Sequence, residues 1–150
     1  ALSHPLLDKL GPEPLSDEFS VEYLMGRAAN VKRNIKTFLM DARVVVGVGN
    51  IYANEALYYS GIRPLAEAGK VSRRRMDRLV PAVKMVLEKA IQAGGTSLRD
   101  FLHEDGKPGY FRNELQVYGR EGEACYRCGG ALTSLRISSR ASVFCKRCQR

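Results

Sequence analysis

The stretch that decides the fold is Val46–Glu55, with the sequence VGVGNIYANE. Gly47 and Gly49 allow the chain to turn tightly after an apolar run, and the residues that follow predict a helix to about Ser60. Gly61 is placed to end that helix, since glycine is the commonest residue just after a helix C-terminus. The sequence therefore predicts a helix that begins directly after a glycine-rich turn.

This glycine turn is not a nucleotide-binding motif. A dinucleotide-binding loop needs a third glycine where this chain has Tyr52, and no Gly-Lys-Ser/Thr follows as a P-loop requires. Two interpretations remain open. The helix N-terminus can bind one backbone phosphate of DNA, assisted by Arg33 and Lys36 from the preceding segment. Alternatively, the turn is only a tight turn in which Asn50 caps the helix.

Further helices are predicted on both sides of this motif. Ser16 or Asp17 is positioned to cap a helix over roughly 18–29. A shorter helix is predicted over 34–40, just before the glycine turn.

The clearest helical pattern covers 73–93, where apolar residues recur with steps of three and one. Ser72 can cap its start, and Gly94 with Gly95 can close its end. Pro81 lacks a backbone N–H, so we expect a kink or a late helix start there. The predicted apolar face consists of Met76, Leu79, Val80, Val83, Val86, Leu87, Ala90 and Ile91.

The composition is that of a basic globular protein. Of its 150 residues, 45% are apolar, the formal net charge is +8 and the pI is about 9.5. Basic residues concentrate in 23–40, which has no acidic residue, and in 70–78. These stretches are either solvated helix faces or contacts to a polyanion such as DNA. No apolar run approaches the roughly 18 residues of a membrane helix, and no signal peptide is recognisable.

All four cysteines lie near the end of the chain, as Cys125-x2-Cys128 and Cys145-x2-Cys148. Each pair brings two thiolates to one side of a tight turn, and two such pairs complete a tetrahedral site for one structural Zn²⁺. Because this segment is too short for a self-sufficient core, metal binding must contribute folding free energy on the order of 10 kcal/mol.

Other uses of four cysteines fit the sequence less well. Two disulfides would require an oxidising compartment, and nothing in the sequence signals export. A thioredoxin-like redox pair would require a βαβ context, which is absent. Iron takes the same ligands in a rubredoxin-like site, and the spacing alone does not separate iron from zinc.

The residues between the cysteine pairs predict a β-hairpin. The segment 132–144 contains strand-forming residues around a turn-prone centre, Ser138-Ser139-Arg140. Residues 121–150 carry six basic and two acidic side chains, and zinc with four thiolates adds −2, so the net charge is still about +2. A basic hairpin of this kind is a common nucleic-acid contact.

The predicted fold is mainly α with a small β module. Residues 1–118 are predicted to form a linker arm and a helical bundle, and residues 119–150, the zinc module, a four-cysteine hairpin. Within the first unit, 94–114 predict a long loop, which in a compact domain is usually functional or mobile. A short strand is predicted at 115–118.

Several of these segments together resemble one family. Val46–Glu55, with the preceding Ile35–Asp41, is similar to the helix–two-turns–helix motif of the formamidopyrimidine-DNA glycosylases. Further matches are His4–Leu7, Leu10–Leu15, Asp105–Phe111 and Tyr118–Gly122. The resemblance covers essentially the whole chain. It implies a helix–two-turns–helix bundle followed by a zinc finger, in a bacterial repair enzyme that removes oxidised purines such as 8-oxoguanine and then cleaves the abasic site.

The resemblance also implies roles for individual residues. Lys36 and Asn50 match positions that hold the phosphates flanking a flipped nucleotide. Arg140, at the hairpin turn, matches a finger arginine that grips a phosphate beside the lesion, a role suited to its fixed charge and forked donors. Arg33 is expected to assist Lys36 in binding DNA.

A lesion pocket is implied around a second group of residues. The segment 96–111 matches the loop that closes over an extruded oxidised purine. Within it, Tyr110 and Arg99 are expected to line the pocket, although relatives often carry Lys at the position of Arg99. Ile51 is expected either as a pocket wall or as a core residue.

The family's nucleophile is an N-terminal proline, whose amine forms a Schiff base with the sugar. This chain begins Ala1-Leu2 and its Pro5 matches the linker, so we expect no catalytic residue here and expect the N-terminal catalytic domain to be missing. The resemblance implies a monomer in the bacterial cytoplasm whose partner is damaged or abasic double-stranded DNA. Two alternatives remain: a stand-alone module that binds such DNA without cutting it, and a zinc-ribbon interaction protein that contacts no nucleic acid.

Overall fold

The computed structural model describes residues 10–94 and 115–150, and in this part the fold is mainly α with one β-hairpin, as predicted. The α-helices are α1 (Val21–Ala28), α2 (Ile35–Met40), α3 (Asn50–Ser60) and α4 (Arg73–Gly94), with a 3₁₀ helix at Ala68–Lys70. Strands β1 (Thr133–Ile137) and β2 (Arg140–Phe144) pair antiparallel. None of the described helices is long and apolar enough to cross a membrane.

α4 is the longest helix and its predicted apolar face packs into the core. Ser72 caps it as predicted, because its Oγ accepts the Arg75 N–H at 3.2 Å. The helix runs through Pro81, so the predicted late start is wrong. Burial of Leu79 and Val83 on either side of Pro81 holds the helix together despite the missing hydrogen bond. All of the predicted face is buried except Ile91, which is 45% exposed.

α1 begins later than the sequence predicted, and its cap is a different residue. Ser20 caps it, with Oγ accepting the Tyr23 N–H at 3.1 Å. The predicted cap at Ser16 or Asp17 is wrong. The Ser16 hydroxyl instead donates to the Glu13 carbonyl at 2.7 Å, which closes a turn before the helix.

α3 begins at Asn50, and its cap is Gly49, which offers no side-chain hydrogen bond. The interpretation of Asn50 as the cap is therefore wrong, since Asn50 is the first helical residue and its side chain is free to bond elsewhere. Gly47 has φ 81°, a left-handed conformation that favours glycine. Gly61 ends the helix at φ 76°, as predicted.

The predicted strand at 115–118 is wrong, because a single carboxylate takes up its backbone donors. Glu55 on α3 is buried, and its Oε1 accepts the Gln116 N–H at 2.7 Å. Its Oε2 accepts the N–H groups of Val117 and Tyr118, both at 2.9 Å. Three successive N–H groups that point to one side chain form a turn and cannot alternate as a strand requires. Burial raises the pKa of Glu55, and these N–H groups oppose that shift.

The buried apolar residues form two clusters, and α3 contributes to both. The helical core lies between α1, α2, α3 and α4 and includes Phe38, Leu57 and Leu79. A smaller cluster holds the zinc module against the helices; it consists of Tyr58, Val117, Cys125, Leu132, Val143 and Cys145. The hairpin therefore rests on α3, which positions the sites described below.

Candidate zinc centre and nucleic-acid interface

The four cysteine sulfurs converge at the base of the hairpin. All four Sγ atoms lie within 4.8 Å of one another. Cys125 Sγ is 3.8 Å from Cys148 Sγ, and Cys128 Sγ is 3.5 Å from Cys145 Sγ. A tetrahedron with Zn–S bonds of about 2.3 Å has S···S edges of about 3.8 Å, whereas a disulfide requires about 2.05 Å. The geometry therefore fits a tetrahedral metal site and does not fit two disulfides.

Each knuckle is stabilised by backbone donors around its sulfurs. The N–H groups of Arg127, Gly130 and Cys148 lie 3.4 Å from the Sγ atoms of Cys125, Cys128 and Cys145 respectively. Such bonds stabilise the thiolate form that binds metal. The backbone of each knuckle therefore favours the thiolate form in which its cysteines bind metal.

Gln149 joins the second knuckle to the helical domain. It is fully buried, and its Oε1 accepts the Cys145 N–H at 2.8 Å. Its Nε2 donates to the Ile62 carbonyl just after α3, also at 2.8 Å. One side chain therefore fixes the metal-binding knuckle against the end of α3.

At the other end of α3, three side chains donate to a single carbonyl, that of Ala141 on β2. Lys36 Nζ lies 3.0 Å from this oxygen, Asn50 Nδ2 lies 3.1 Å and Asn54 Nδ2 lies 3.2 Å from it. We call these three side chains and the carbonyl the Ala141 latch. It brings α2, α3 and the hairpin to one point, although their residues are about 90 to 105 positions apart in the chain.

The latch is extended by two further hydrogen bonds along β2. Lys36 Nζ donates to Ser142 Oγ at 2.6 Å, and Asn54 Oδ1 accepts the Val143 N–H at 2.7 Å. Asn54 was not singled out from the sequence. The available signal is that it lies four residues after Asn50, and therefore on the same helix face.

Lys36 is a buried cation. Its side chain is only 1% exposed, and burial lowers its pKa to about 8, with a further contribution from the Arg140 guanidinium. Asn50 is buried beside it, and its Oδ1 has no hydrogen-bond partner among the described residues. The site therefore holds a poorly solvated positive charge next to an unsatisfied polar atom.

A cleft of about 340 Å³ opens beside Lys36, between α2 and the hairpin tip. We call it the cationic cleft; it is lined by Arg33, Lys36, Thr37, Met40, Asp41, Arg43, Ile137, Ser138 and Arg140. Four of these side chains are cationic and one is acidic. Arg140 is exposed at the hairpin turn and lines this cleft.

Asp41 partly neutralises the other side of the cleft. Its Oδ2 accepts from Arg33 at 2.7 Å and from Arg43 at 2.9 Å. Hydrogen bonds from Arg43, assisted by Arg33, hold the pKa of Asp41 well below its usual range. Arg33, a predicted DNA contact, is therefore oriented by an acid, and Arg43 is a cation of the cleft that the sequence analysis missed.

The structure brings the predicted phosphate contacts Lys36, Asn50 and Arg140 together. Ile51 is half-buried and packs against the helical core, which is the environment expected of a core residue. The predicted lesion-pocket residues Arg99 and Tyr110 lie outside the described residues.

Comparison with known protein families identifies both parts of the chain. Residues 10–102 match the formamidopyrimidine-DNA glycosylase H2TH domain. The chain belongs to the formamidopyrimidine-DNA glycosylase family. Residues 122–150 match the zinc finger found in FPG and IleRS, and the four cysteines of this family member are positioned to bind one zinc ion.

Individual relatives cover almost the whole chain. Formamidopyrimidine-DNA glycosylases of Shewanella halifaxensis and Xanthomonas campestris pv. campestris are 57% and 60% identical to it over 148 residues. Those residues are 99% of this chain and 55% of each relative. The chain thus spans about half the length of these relatives and carries the family's helix–two-turns–helix and zinc-finger domains.

Solved structures show the same fold. MutM (Fpg) from Thermus thermophilus superposes with a TM-score of 0.84 at 37% identity, covering 97% of this chain and 55% of that one. Lactococcus lactis Fpg bound to DNA containing an AP site gives 0.83 at 34% identity, covering 97% and 52%.

Proposed function

We propose that this chain is the DNA-gripping half of a base-excision repair glycosylase that removes oxidised purines, such as 8-oxoguanine and formamidopyrimidines, and cleaves the resulting abasic site. The observation that carries the proposal is that Lys36 and Arg140 line one cationic cleft, with Asn50 beside Lys36 at the Ala141 carbonyl. The relatives support the substrate class, since solved Fpg structures include complexes with abasic-site DNA and with FAPY-dG DNA.

The proposed ligand of the cleft is the DNA backbone. Lys36 has three N–H donors, of which two are used within the protein, and Asn50 Nδ2 retains a second donor. Arg140 offers a full guanidinium, which can bind phosphate with two parallel hydrogen bonds. A phosphate in the cleft would compensate the buried Lys36 charge, which the protein leaves poorly solvated. Such contacts position the duplex without reading its sequence.

Catalysis is assigned to the part of the full-length relatives that this chain does not span. No residue described here is proposed as the nucleophile. The lesion pocket of Arg99, Tyr110 and Ile51, the division of the chain after residue 118, and the monomeric state all stay predictions.

A salt titration of DNA affinity tests the phosphate contacts. Lys36→Ala and Arg140→Ala should weaken binding to all sequences alike, and each should lower the slope of log affinity against log salt by about one unit. Asn50→Ala should weaken binding with little change of slope, because Asn is neutral. Lys146→Ala is the matched control, since it removes a charge from the zinc module at the base of the hairpin and should leave the slope unchanged.

If Lys36→Ala, Arg140→Ala and Asn50→Ala all bind DNA as the wild type does, the phosphate assignment fails and the zinc-ribbon interaction protein becomes the better interpretation. Thermal melts of each variant show whether a loss of binding reflects a loss of folding.

Borohydride trapping with abasic DNA tests the division of labour. This chain should form no covalent adduct, because the proposal assigns the attacking amine to the part of the full-length relatives that the chain does not span. A trapped adduct would show that one of these 150 residues can serve. Strand scission by the full-length natural protein distinguishes a glycosylase with lyase activity from a stand-alone binding module.

A further inference from the structure

Tyr58 is the α3 residue that belongs to the apolar cluster of the zinc module. Its side chain is fully buried, and its phenolic oxygen lies 3.1 Å from Cys125 Sγ. A zinc-bound cysteine is a thiolate and carries no proton, so in the metal-loaded protein the phenol must be the donor. The contact is therefore an O–H···S⁻ hydrogen bond from the helical domain to a metal ligand.

The position of the phenol is fixed from several sides. Tyr58 lies in the last turns of α3, so its backbone is held by the helix. The Arg127 guanidinium stacks over its ring, with Cζ 4.9 Å from the ring centroid. The Tyr59 ring meets it edge-on at 6.0 Å between centroids. The hydroxyl therefore points at Cys125 without having to order a mobile side chain, which would cost conformational entropy.

The contact also distinguishes Cys125 from the other ligands. The other N–H···S hydrogen bonds described at the ligand sulfurs come from backbone N–H groups of the knuckles, those of Arg127, Gly130 and Cys148. Cys125 receives such a bond from Arg127 and, in addition, the phenol of Tyr58. It is thus the ligand through which the helical domain acts on the electron density at the metal.

We propose that Tyr58 is an outer-sphere positioning residue of the zinc centre, which stabilises the Cys125 thiolate by its O–H donor and thereby ties metal retention to the folded α3. Partners of metal ligands commonly contribute 10- to 100-fold in metal affinity. A hydrogen bond withdraws electron density from the thiolate and lowers its reactivity toward electrophiles. The proposal rests on the zinc centre alone and does not depend on the DNA-repair function.

The test compares Tyr58→Phe with Tyr59→Phe in the zinc-loaded 150-residue chain. Both variants remove one hydroxyl and keep the ring, and the hydroxyl that lies 3.1 Å from a ligand sulfur is that of Tyr58. In competition with a chromophoric chelator, Tyr58→Phe should bind zinc about 10-fold more weakly or worse, while Tyr59→Phe should match the wild type. Iodoacetamide followed by peptide mapping should label Cys125 faster in Tyr58→Phe.

Cobalt substitution separates hydrogen bonding from packing. Loss of the O–H···S bond leaves the Cys125 thiolate more electron-rich, so the sulfur-to-cobalt charge-transfer band of Tyr58→Phe should move to longer wavelength. A change in packing alone would not shift this band in that direction. An unshifted band together with wild-type zinc affinity in Tyr58→Phe would overturn the proposal.

Discussion

The first two turns of α3 meet the hairpin through side-chain hydrogen bonds to one carbonyl, whereas its last turn meets the zinc module through an aromatic contact to a ligand sulfur, with backbone and Gln149 hydrogen bonds just beyond it. In the first two turns, Asn50 and Asn54 share the Ala141 carbonyl with Lys36. At the last turn, Tyr58 lies against Cys125, and the Arg150 N–H donates to the Gly61 carbonyl at 2.9 Å. One helix therefore attaches the same module in two physically different ways.

The difference separates groups that only stabilise the fold from groups that can also bind a ligand. The last turn of α3, which we call the zinc end, offers no ligand-binding position, because a structural site with four protein ligands leaves no open coordination position on the metal. The start of α3 with the Ala141 latch, which we call the latch end, can bind a ligand, because Lys36 and Asn50 keep unused hydrogen-bond donors beside the cationic cleft. Mutations at the zinc end should therefore change folding, and mutations at the latch end should change both folding and binding.

The largest effect is expected at the zinc end. Cys145→Ser removes a ligand whose Sγ lies 3.5 Å from that of Cys128, so the tetrahedral site is lost. Because metal binding supplies folding free energy on the order of 10 kcal/mol, the zinc module should unfold while the helical signal remains. Elemental analysis measures the zinc content, and the NMR amide signals of residues 119–150 show whether the zinc module is folded. Ser134→Ala on β1 is the control, and retention of one tightly held zinc by Cys145→Ser would contradict the prediction.

A smaller effect is expected midway along α3, at Glu55. Glu55→Gln replaces a carboxylate that accepts three backbone N–H groups by an amide with one acceptor and an NH₂ group facing the donors. Unsatisfied buried groups cost about 1–3 kcal/mol each, so the free energy of unfolding should fall by about 2–4 kcal/mol. Urea unfolding measures it.

Glu67→Gln is the matched control for Glu55→Gln. Its carboxylate is 36% exposed and lies 3.9 Å from the Lys70 ammonium, a surface pair that contributes under about 1 kcal/mol. Equal destabilisation of the two variants would show that the three N–H groups find other partners in Glu55→Gln. The Glu55 carboxylate would then not be what holds the segment before the zinc module to α3.

At the latch end, Lys36 should give folding and DNA binding opposite pH dependences. Its pKa is lowered from 10.5 to about 8, so between these values the unfolded chain holds a proton that the folded chain has released. Stability attributable to Lys36 should therefore rise as the pH rises from about 8 toward 10.5. As the pH rises through about 8, the folded chain loses the Lys36 ammonium charge. DNA affinity should therefore fall over the same pH range in which stability rises.

The measurement is a pair of salt titrations of DNA affinity, at neutral pH and at about pH 9. The wild-type slope should decrease by up to about one unit at the higher pH, whereas Lys36→Met should have the lower slope at both. Lys146→Met, which removes an exposed lysine at the zinc end, should retain the pH dependence. A pH dependence that survives in Lys36→Met would assign the titration to another group.

The two ends of α3 also differ in how far the sequence predicted them. The zinc end follows from local spacing, since two C-x2-C pairs encode the site without knowledge of the rest of the fold. The latch depends on contacts between residues about 90 to 105 positions apart, and the sequence pattern carries no signal for the Ala141 carbonyl as their common acceptor. The family resemblance singled out Lys36, Asn50 and Arg140 as phosphate contacts, a role that stays a prediction, whereas Asn54 and Arg43 were not singled out.

Two of the errors in secondary structure have the same cause. The 115–118 segment has strand-forming residues, but the Glu55 carboxylate 61 to 63 positions away takes its N–H groups. Asn50 has the residue type of a cap, yet its amide is drawn to the hairpin instead. In both cases a tertiary hydrogen bond outweighed a local preference of about 1 kcal/mol.

The smallest effect is expected at the hairpin tip, beyond the latch. β1 and β2 are joined by the two-residue loop Ser138-Ser139, and Ile137 pairs with Arg140 across it. Both serines have positive φ, 53° and 66°, as a type I′ turn requires, although this conformation favours Gly and Asn. Ser139→Gly should therefore raise the free energy of unfolding by roughly 0.5 kcal/mol, since relief of the left-handed strain slightly exceeds the added entropy of the unfolded chain.

Ser134→Gly provides a control of opposite sign, because Ser134 is exposed within β1, where glycine gains nothing and loses about 0.5–1 kcal/mol. The Arg136 guanidinium donates to the Ser139 carbonyl at 2.8 Å, a bond that Ser139→Gly leaves in place because the acceptor is backbone. Hydrogen exchange of the β1 and β2 amides should slow in Ser139→Gly and quicken in Ser134→Gly. Faster exchange in both variants would contradict the prediction. It would show that the Ser139 side chain, and not the turn geometry, holds the hairpin tip, and that this side chain is a further polar group on which the latch end depends.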